Sequence, residues 1–153
     1  VRDKLLSKKE YEKNMISLMK EKNFEPQKYF SNLFFDKKDL NDLNSLGHII
    51  GLHSHTHPTF LEGLSYDEQK LEYSSCLSVI SKIIGKPKNI IKSMSHPCGS
   101  YNKYTLEILK ELNIELGFKH IMTIEPEKQM KKINNSFLEI ARQDHSEIVK
   151  RMN

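Results

Sequence analysis

Apolar positions along the chain fall into two rhythms. Tyr11, Met15, Leu18 and Met19 recur at the spacing of one helix face, behind Ser7-Lys-Lys-Glu10. That tetrapeptide is a capping box: the serine hydroxyl and the glutamate carboxylate each satisfy an orphan amide of the first turn. A helix is predicted over residues 8–22, followed by a connector from Asn23 to Lys28 that contains Pro26. Leu40, Leu43 and Leu46 predict a second helix over 37–46, capped by Asp36 and ended by Gly47. His48 to His53 then reads as a short buried strand and Pro58 to Leu64 as a loop. Ser65-Tyr-Asp-Glu68 is a second capping box and opens the strongest helix of the chain. Leu71, Cys76, Leu77, Ile80, Ile83 and Ile84 form its expected apolar side, and Gly85 and Pro87 stop it. Ile90 to Met94 reads as a strand, residues 103–112 as a helix carrying Leu106, Ile108, Leu109 and Leu112, and 116–118 and 137–140 as weaker strands. Glu125 to Asn135 is polar and reads as loop.

From residue 36 onward, helices alternate with short apolar strands, the pattern of α/β units around a parallel sheet or barrel. Residues 1–35 read as a helical lead-in or insertion and residues 36–153 as the α/β portion.

Composition narrows the function classes. The net charge of +4 is scattered as Lys8-Lys9, Lys37-Lys38 and Lys131-Lys132. A nucleic-acid groove needs a denser basic stripe with interleaved aromatics, so these pairs read as solvated surface and no nucleic-acid partner is expected. Cys76 sits among apolar residues and reads as a small core hydrophobe, whereas Cys98 lies in a Pro-Cys-Gly loop. Neither belongs to a disulfide framework or a Cys-x-x-Cys zinc site. No apolar run approaches the roughly 18 residues of a membrane span. The start, Val1-Arg-Asp-Lys-Leu-Leu, lacks a secretory apolar core, which gives a cytoplasmic expectation, and it lacks an initiator Met, which suggests a trimmed or partial chain.

The candidate chemistry follows the predicted strands. Four of the seven histidines lie between His48 and His57, in Gly47-His-Ile-Ile-Gly-Leu-His-Ser-His-Thr-His-Pro58. His53 and His57 stand at a strand end before Pro58, where a tight turn can converge two rings on one metal; the bland alternative is an exposed histidine run. Ser95-His-Pro-Cys-Gly-Ser-Tyr-Asn102 follows the next strand, and Pro97 and Gly99 rigidify a turn whose amides could face a substrate oxygen. Ile140-Ala-Arg-Gln-Asp-His145 groups a fixed cation, a carboxylate and an imidazole behind a late strand; alone it is equally a solvated charge cluster. Three polar sets, each behind an apolar segment, match the way α/β sites collect at C-terminal strand ends.

These residues resemble a known family. Gly51-Leu-His-Ser-His-Thr-His-Pro58 is similar to the His-Ser/Thr-x-x-His metal motif of the polysaccharide deacetylases, the NodB-type carbohydrate esterases. Ser95 to Asn102 is similar to their Arg-x-Pro-x-Gly loop, and the resemblance runs from about Phe34 to His145. It implies a partial or distorted (β/α) barrel, a divalent metal (usually zinc) held by one Asp and two His, and hydrolysis of N-acetyl or O-acetyl groups on a sugar polymer or glycan precursor, of bacterial origin by family expectation. By position, His53 and His57 are the implied metal ligands, and the backbone amide of Cys98 an oxyanion donor. His145 is the implied acid for the leaving amine, with Arg142 and Asp144 as its charge partners.

The departures matter equally. The family opens on Thr-Phe-Asp-Asp, which supplies the base and the third ligand, and this chain contains no Asp-Asp pair. Phe34-Phe35-Asp36 is the nearest imitation and reads as a helix cap, and Ser95 occupies the place of the loop arginine. The expectation is a C-terminal portion of a deacetylase-like protein that would need an N-terminal segment to be complete. By itself it would have open sheet edges that favour self-association. The alternative is a non-catalytic remnant or binding module of the same fold.

Overall fold

The computed structural model describes Arg2 and residues 5–120, 137–142 and 148–149. The chain forms two compact units, Val1–His48 and Ile49–Asn153.

In the first unit, α1 (Lys8–Glu21) begins with the expected capping box, Ser7 accepting from the Glu10 amide and Glu10 accepting from Ser7. The connector holds a short helical turn, Pro26–Lys28, and α2 (Phe30–Leu33) follows. In α3 (Lys37–Ser45), Asp36 accepts from the Asp39 amide while Asp39 returns the bond to the Asp36 amide. Among its described residues this unit has no buried side chain.

The second unit contains α4 (Tyr66–Ile84), β1 (Ser93–Ser95), α5 (Lys103–Glu111), β2 (Leu116–Phe118) and β3 (Phe137–Ile140). The strands pair in parallel in the order β1-β2-β3, with a register shift between Leu116 and Phe118. Leu52 extends this sheet by one position, pairing in parallel with Met94. It is therefore part of a parallel α/β sheet with α4 and α5 as crossovers, as expected for a partial (β/α) barrel.

Three expectations are corrected here. The strand proposed over 48–53 is a single bridge at Leu52, and Ile49 is exposed. The partner strand is only three residues long, and the positive φ of Ser54 turns the chain off the sheet directly afterwards. The strand proposed over 90–94 begins at Ser93, because Lys88–Ile90 forms a helical turn first. Leu71 is 66% exposed rather than on the apolar side of α4. The buried face is Gln69, Tyr73, Cys76 and Leu77, offsets of four, seven and eight residues that share one side of a helix, with Leu71 about 200° away from Gln69. The polar reading of 125–135 lies outside the described residues.

The core consists of Leu52, Leu61, Tyr73, Cys76, Leu77, Ile91, Met94, Ile108, Leu109, Ile114 and Leu138. Two buried polar groups tie its helices together: Thr105 Oγ1 donates to Gln69 Oε1 at 2.6 Å, and Gln69 Nε2 donates to the Leu64 carbonyl. Asn102 caps α5 and reaches the Glu62 carbonyl, which fixes the exit of the 95–102 loop.

Candidate metal centre

Leu52 places the histidine loop. Its amide donates to the Ser93 carbonyl at 2.9 Å, and its carbonyl accepts from the Ser95 amide at 3.0 Å. A Cβ at Gly51 would lie 2.7 Å from Ser93 Oγ and 2.8 Å from Ser93 O, so only glycine allows this approach. Next in the chain, His53 stands at the C-terminal edge of the sheet. Ser54 and His57 both adopt positive φ, which bends the loop back on itself.

The bend brings His53 and His57 together. Their Nε2 atoms lie 3.2 Å apart, with ring centroids at 4.9 Å and planes at 57°. The Nδ1 of His53 is 2.8 Å from the Ser95 carbonyl and 2.9 Å from Ser95 Oγ. A carbonyl only accepts, so Nδ1 carries the proton and Nε2 keeps its lone pair. Burial holds the His53 pKa below its ordinary value; the bond to Ser95 opposes this, and the His57 and Arg142 charges add to it. The ring is thus neutral, in the tautomer whose free nitrogen faces His57.

This pair fits a tetrahedral ion. Zinc–nitrogen bonds of about 2.0–2.1 Å at a tetrahedral angle put two ligand nitrogens about 3.3 Å apart. The same approach is an N–H···N hydrogen bond when His57 carries its proton on Nε2, and ion binding would replace that proton. Among the described residues, no group of three His, Cys, Asp or Glu side chains could hold a metal. Asp36, the nearest imitation of an Asp-Asp motif, spends its carboxylate on the α3 cap.

The neighbouring loop is turned inward. His96 is 1% exposed, stacks on Tyr101 at 4.2 Å, and its Nε2 donates to the Leu138 carbonyl at 2.8 Å. Tyr101 in turn donates to Glu139 at 2.9 Å. Cys98 is exposed at φ 52°, followed by Gly99 at φ 68°. The Gly99 and Ser100 amides are spent within the turn, on His96 O and Pro97 O. Arg142 is exposed beyond β3, and Asp144 and His145 lie outside the described residues.

The sequence model of the polysaccharide deacetylases matches residues 6–117. The chain belongs to the polysaccharide deacetylase family. A Streptococcus pyogenes deacetylase, PplD, solved with acetate, is similar at 22% identity and a TM-score of 0.60, covering 84% of this chain and 55% of that one. The deacetylase domain of BpsB from Bordetella bronchiseptica is similar at 14% identity and a TM-score of 0.56, covering 73% of this chain and 49% of that one. A mutant with restored activity of the CE4-family pseudoenzyme BA3943, from Bacillus anthracis, gives 14% identity and a TM-score of 0.50, covering 94% of this chain and 56% of that one. At these identities the likeness is one of fold. The chain spans about half the length of the solved deacetylase structures it matches. No curated protein matches it.

Within this deacetylase fold, sequence reasoning missed the residues that support the histidines. Ser95 stands where the family loop has arginine, and it also orients the His53 ring. The Glu72 carboxylate accepts from the amides of His55 and Thr56 and from the Thr56 hydroxyl. These contacts span 16 and 17 residues, and no local spacing signals them. Among the described residues no helix is long and apolar enough to cross a membrane.

Proposed function

We propose that this chain carries the histidine part of a metal-dependent deacetylase centre, acting on N-acetyl or O-acetyl groups of a sugar polymer or glycan precursor. The observation that carries the reading is the pair of Nε2 atoms 3.2 Å apart, one with its tautomer set by a backbone carbonyl. His53 and His57 would hold the divalent ion, and imidazole nitrogens suit zinc. When bound, such an ion polarises an acyl carbonyl and acidifies a water molecule. The Cys98 amide donates to the oxygen that gains charge as the acetyl carbon becomes tetrahedral. His145 returns a proton to the departing nitrogen, with Arg142 and Asp144 setting its charge.

A second reading, a non-catalytic metal-binding form, draws support from two observations. Asp36 is committed to a helix cap, and a serine stands at position 95, where the family loop has arginine.

Equilibrium zinc titration of the full chain tests the centre. Near-stoichiometric binding is expected, lost in both His53→Ala and His57→Ala; a parent chain that takes up no zinc overturns the reading. Acetate release from chitooligosaccharides tests the second reading. The chain by itself is expected to stay near background, and robust turnover would exclude the non-catalytic reading.

A further inference from the structure

We infer that Glu72 is a positioning residue that sets the distance between the His53 and His57 rings. The inference rests on the proposed metal reading of that pair.

Two ligands four residues apart on an irregular loop have no helix or strand to fix their separation. This loop is also bent through two non-glycine residues in the left-handed region, Ser54 at φ 63° and His57 at φ 54°. L-residues leave that conformation unless their surroundings hold them in it. The holding contacts come from α4. Glu72 Oε2 accepts from the His55 amide at 2.8 Å and from the Thr56 amide at 2.7 Å, while Oε1 accepts from Thr56 Oγ1 at 2.6 Å. The clamp therefore grips two of the residues between the bend points, His55 and Thr56.

The helix beneath is rigid. Tyr73 and Cys76, on either side of the same turn, are core residues, so the Glu72 backbone cannot follow the loop if the loop moves. Burial alone would raise the Glu72 pKa, but the bonds from Thr56 and His55 outweigh it and keep the carboxylate ionised. Both carboxylate oxygens accept from donors of the loop, which makes Glu72 a support for the ligands. Supports of this kind tune metal affinity by about 10- to 100-fold when removed.

The test is zinc affinity of the full chain, measured by competition with a chromophoric chelator, alongside the cobalt(II) absorption spectrum, thermal melting and amide exchange at His55 and Thr56. Glu72→Ala is expected to weaken zinc by about 10-fold or more and to change the cobalt spectrum. It should also speed exchange at the two amides. Glu72→Gln is expected to retain affinity within about threefold, because its carbonyl oxygen still accepts both amides while its NH2 donates to the Thr56 hydroxyl. Thr56→Val, which removes only the hydroxyl bond, should fall between them and serves if Glu72→Ala does not fold. A parent chain that binds no zinc overturns the metal reading and this inference with it. A zinc-binding parent whose affinity is unchanged in Glu72→Ala overturns this inference alone, and so does a Glu72→Gln variant as weak as Glu72→Ala.

Discussion

His53 and His96 begin alike and end in opposite surroundings. Each follows a position paired in the same parallel sheet, and each gives one ring N–H to a backbone carbonyl across it, His53 to Ser95 and His96 to Leu138. Burial lowers the pKa of both, and pushes His96 down to about 4. They differ in where the second nitrogen points. That of His53 meets His57 at the exposed rim; Nδ1 of His96 is buried with no hydrogen-bond partner among the described residues. The place of a histidine behind an apolar segment thus does not by itself fix its surroundings. The turn that follows decides: the bend at Ser54 leaves one ring pair at the rim, and the other ring lies buried against Tyr101.

The contrast can be broken most directly by paired alanine variants. His53→Ala should reduce zinc affinity by at least about 100-fold with little change in melting temperature, because the residue stands at the rim of the sheet, outside the core. His96→Ala should leave a cavity and a bare Leu138 carbonyl, and cost about 2–4 kcal/mol in chemical denaturation. If His53→Ala were the more destabilising of the two, their roles would have been assigned the wrong way round.

Next in size is a pH effect. The unfolded chain protonates its histidines near pH 6.5, whereas folded His96 resists protonation down to about pH 4. Between these values the unfolded state binds more protons, so stability is complete above about 6.5 and declines as pH falls towards 4, by about 3 kcal/mol in total. His53, shifted in the same direction, adds to the decline. Urea melts at pH 7 and pH 5 should show the loss, and His96→Phe, which keeps a ring against Tyr101, should flatten it. An equally steep decline in His96→Phe would assign the effect to other groups.

The smallest expected change sharpens the buried side. Tyr101→Phe removes the 2.9 Å bond to Glu139 and keeps the stack on His96. A cost of about 1 kcal/mol is expected, with zinc affinity unaltered. A fall in zinc affinity would show that the two loops act as one unit.

Much of the second unit was legible because its signals are local. Ser65 and Glu68 form the capping box they predict, and Phe137 to Ile140 forms a strand where its apolar run predicts one. The errors arose where a partner chain segment decides. Leu71 is apolar but lies on the open side of α4, while polar Gln69 is buried because Thr105 and the Leu64 carbonyl meet its amide. Ile49 and Ile50 read as strand, yet β1 is too short to pair with them. The first unit shows the same limit: its caps at Ser7 and Asp36 form as expected, and no described side chain there is buried.

The amino-acid sequence by itself determined α1, α3, α4 and α5, the parallel α/β order and the family motif, because capping, periodicity and short-range spacing act within a few residues. Tertiary structure alone decided that those rings meet at 3.2 Å, that Ser95 sets the tautomer of one, and that Glu72 grips the turn between them. The Glu72 and Ser95 contacts join groups 16 to 42 residues apart. Their geometry depends on how α4 and β1 pack, and side-chain hydrogen bonds act only over distances that packing sets.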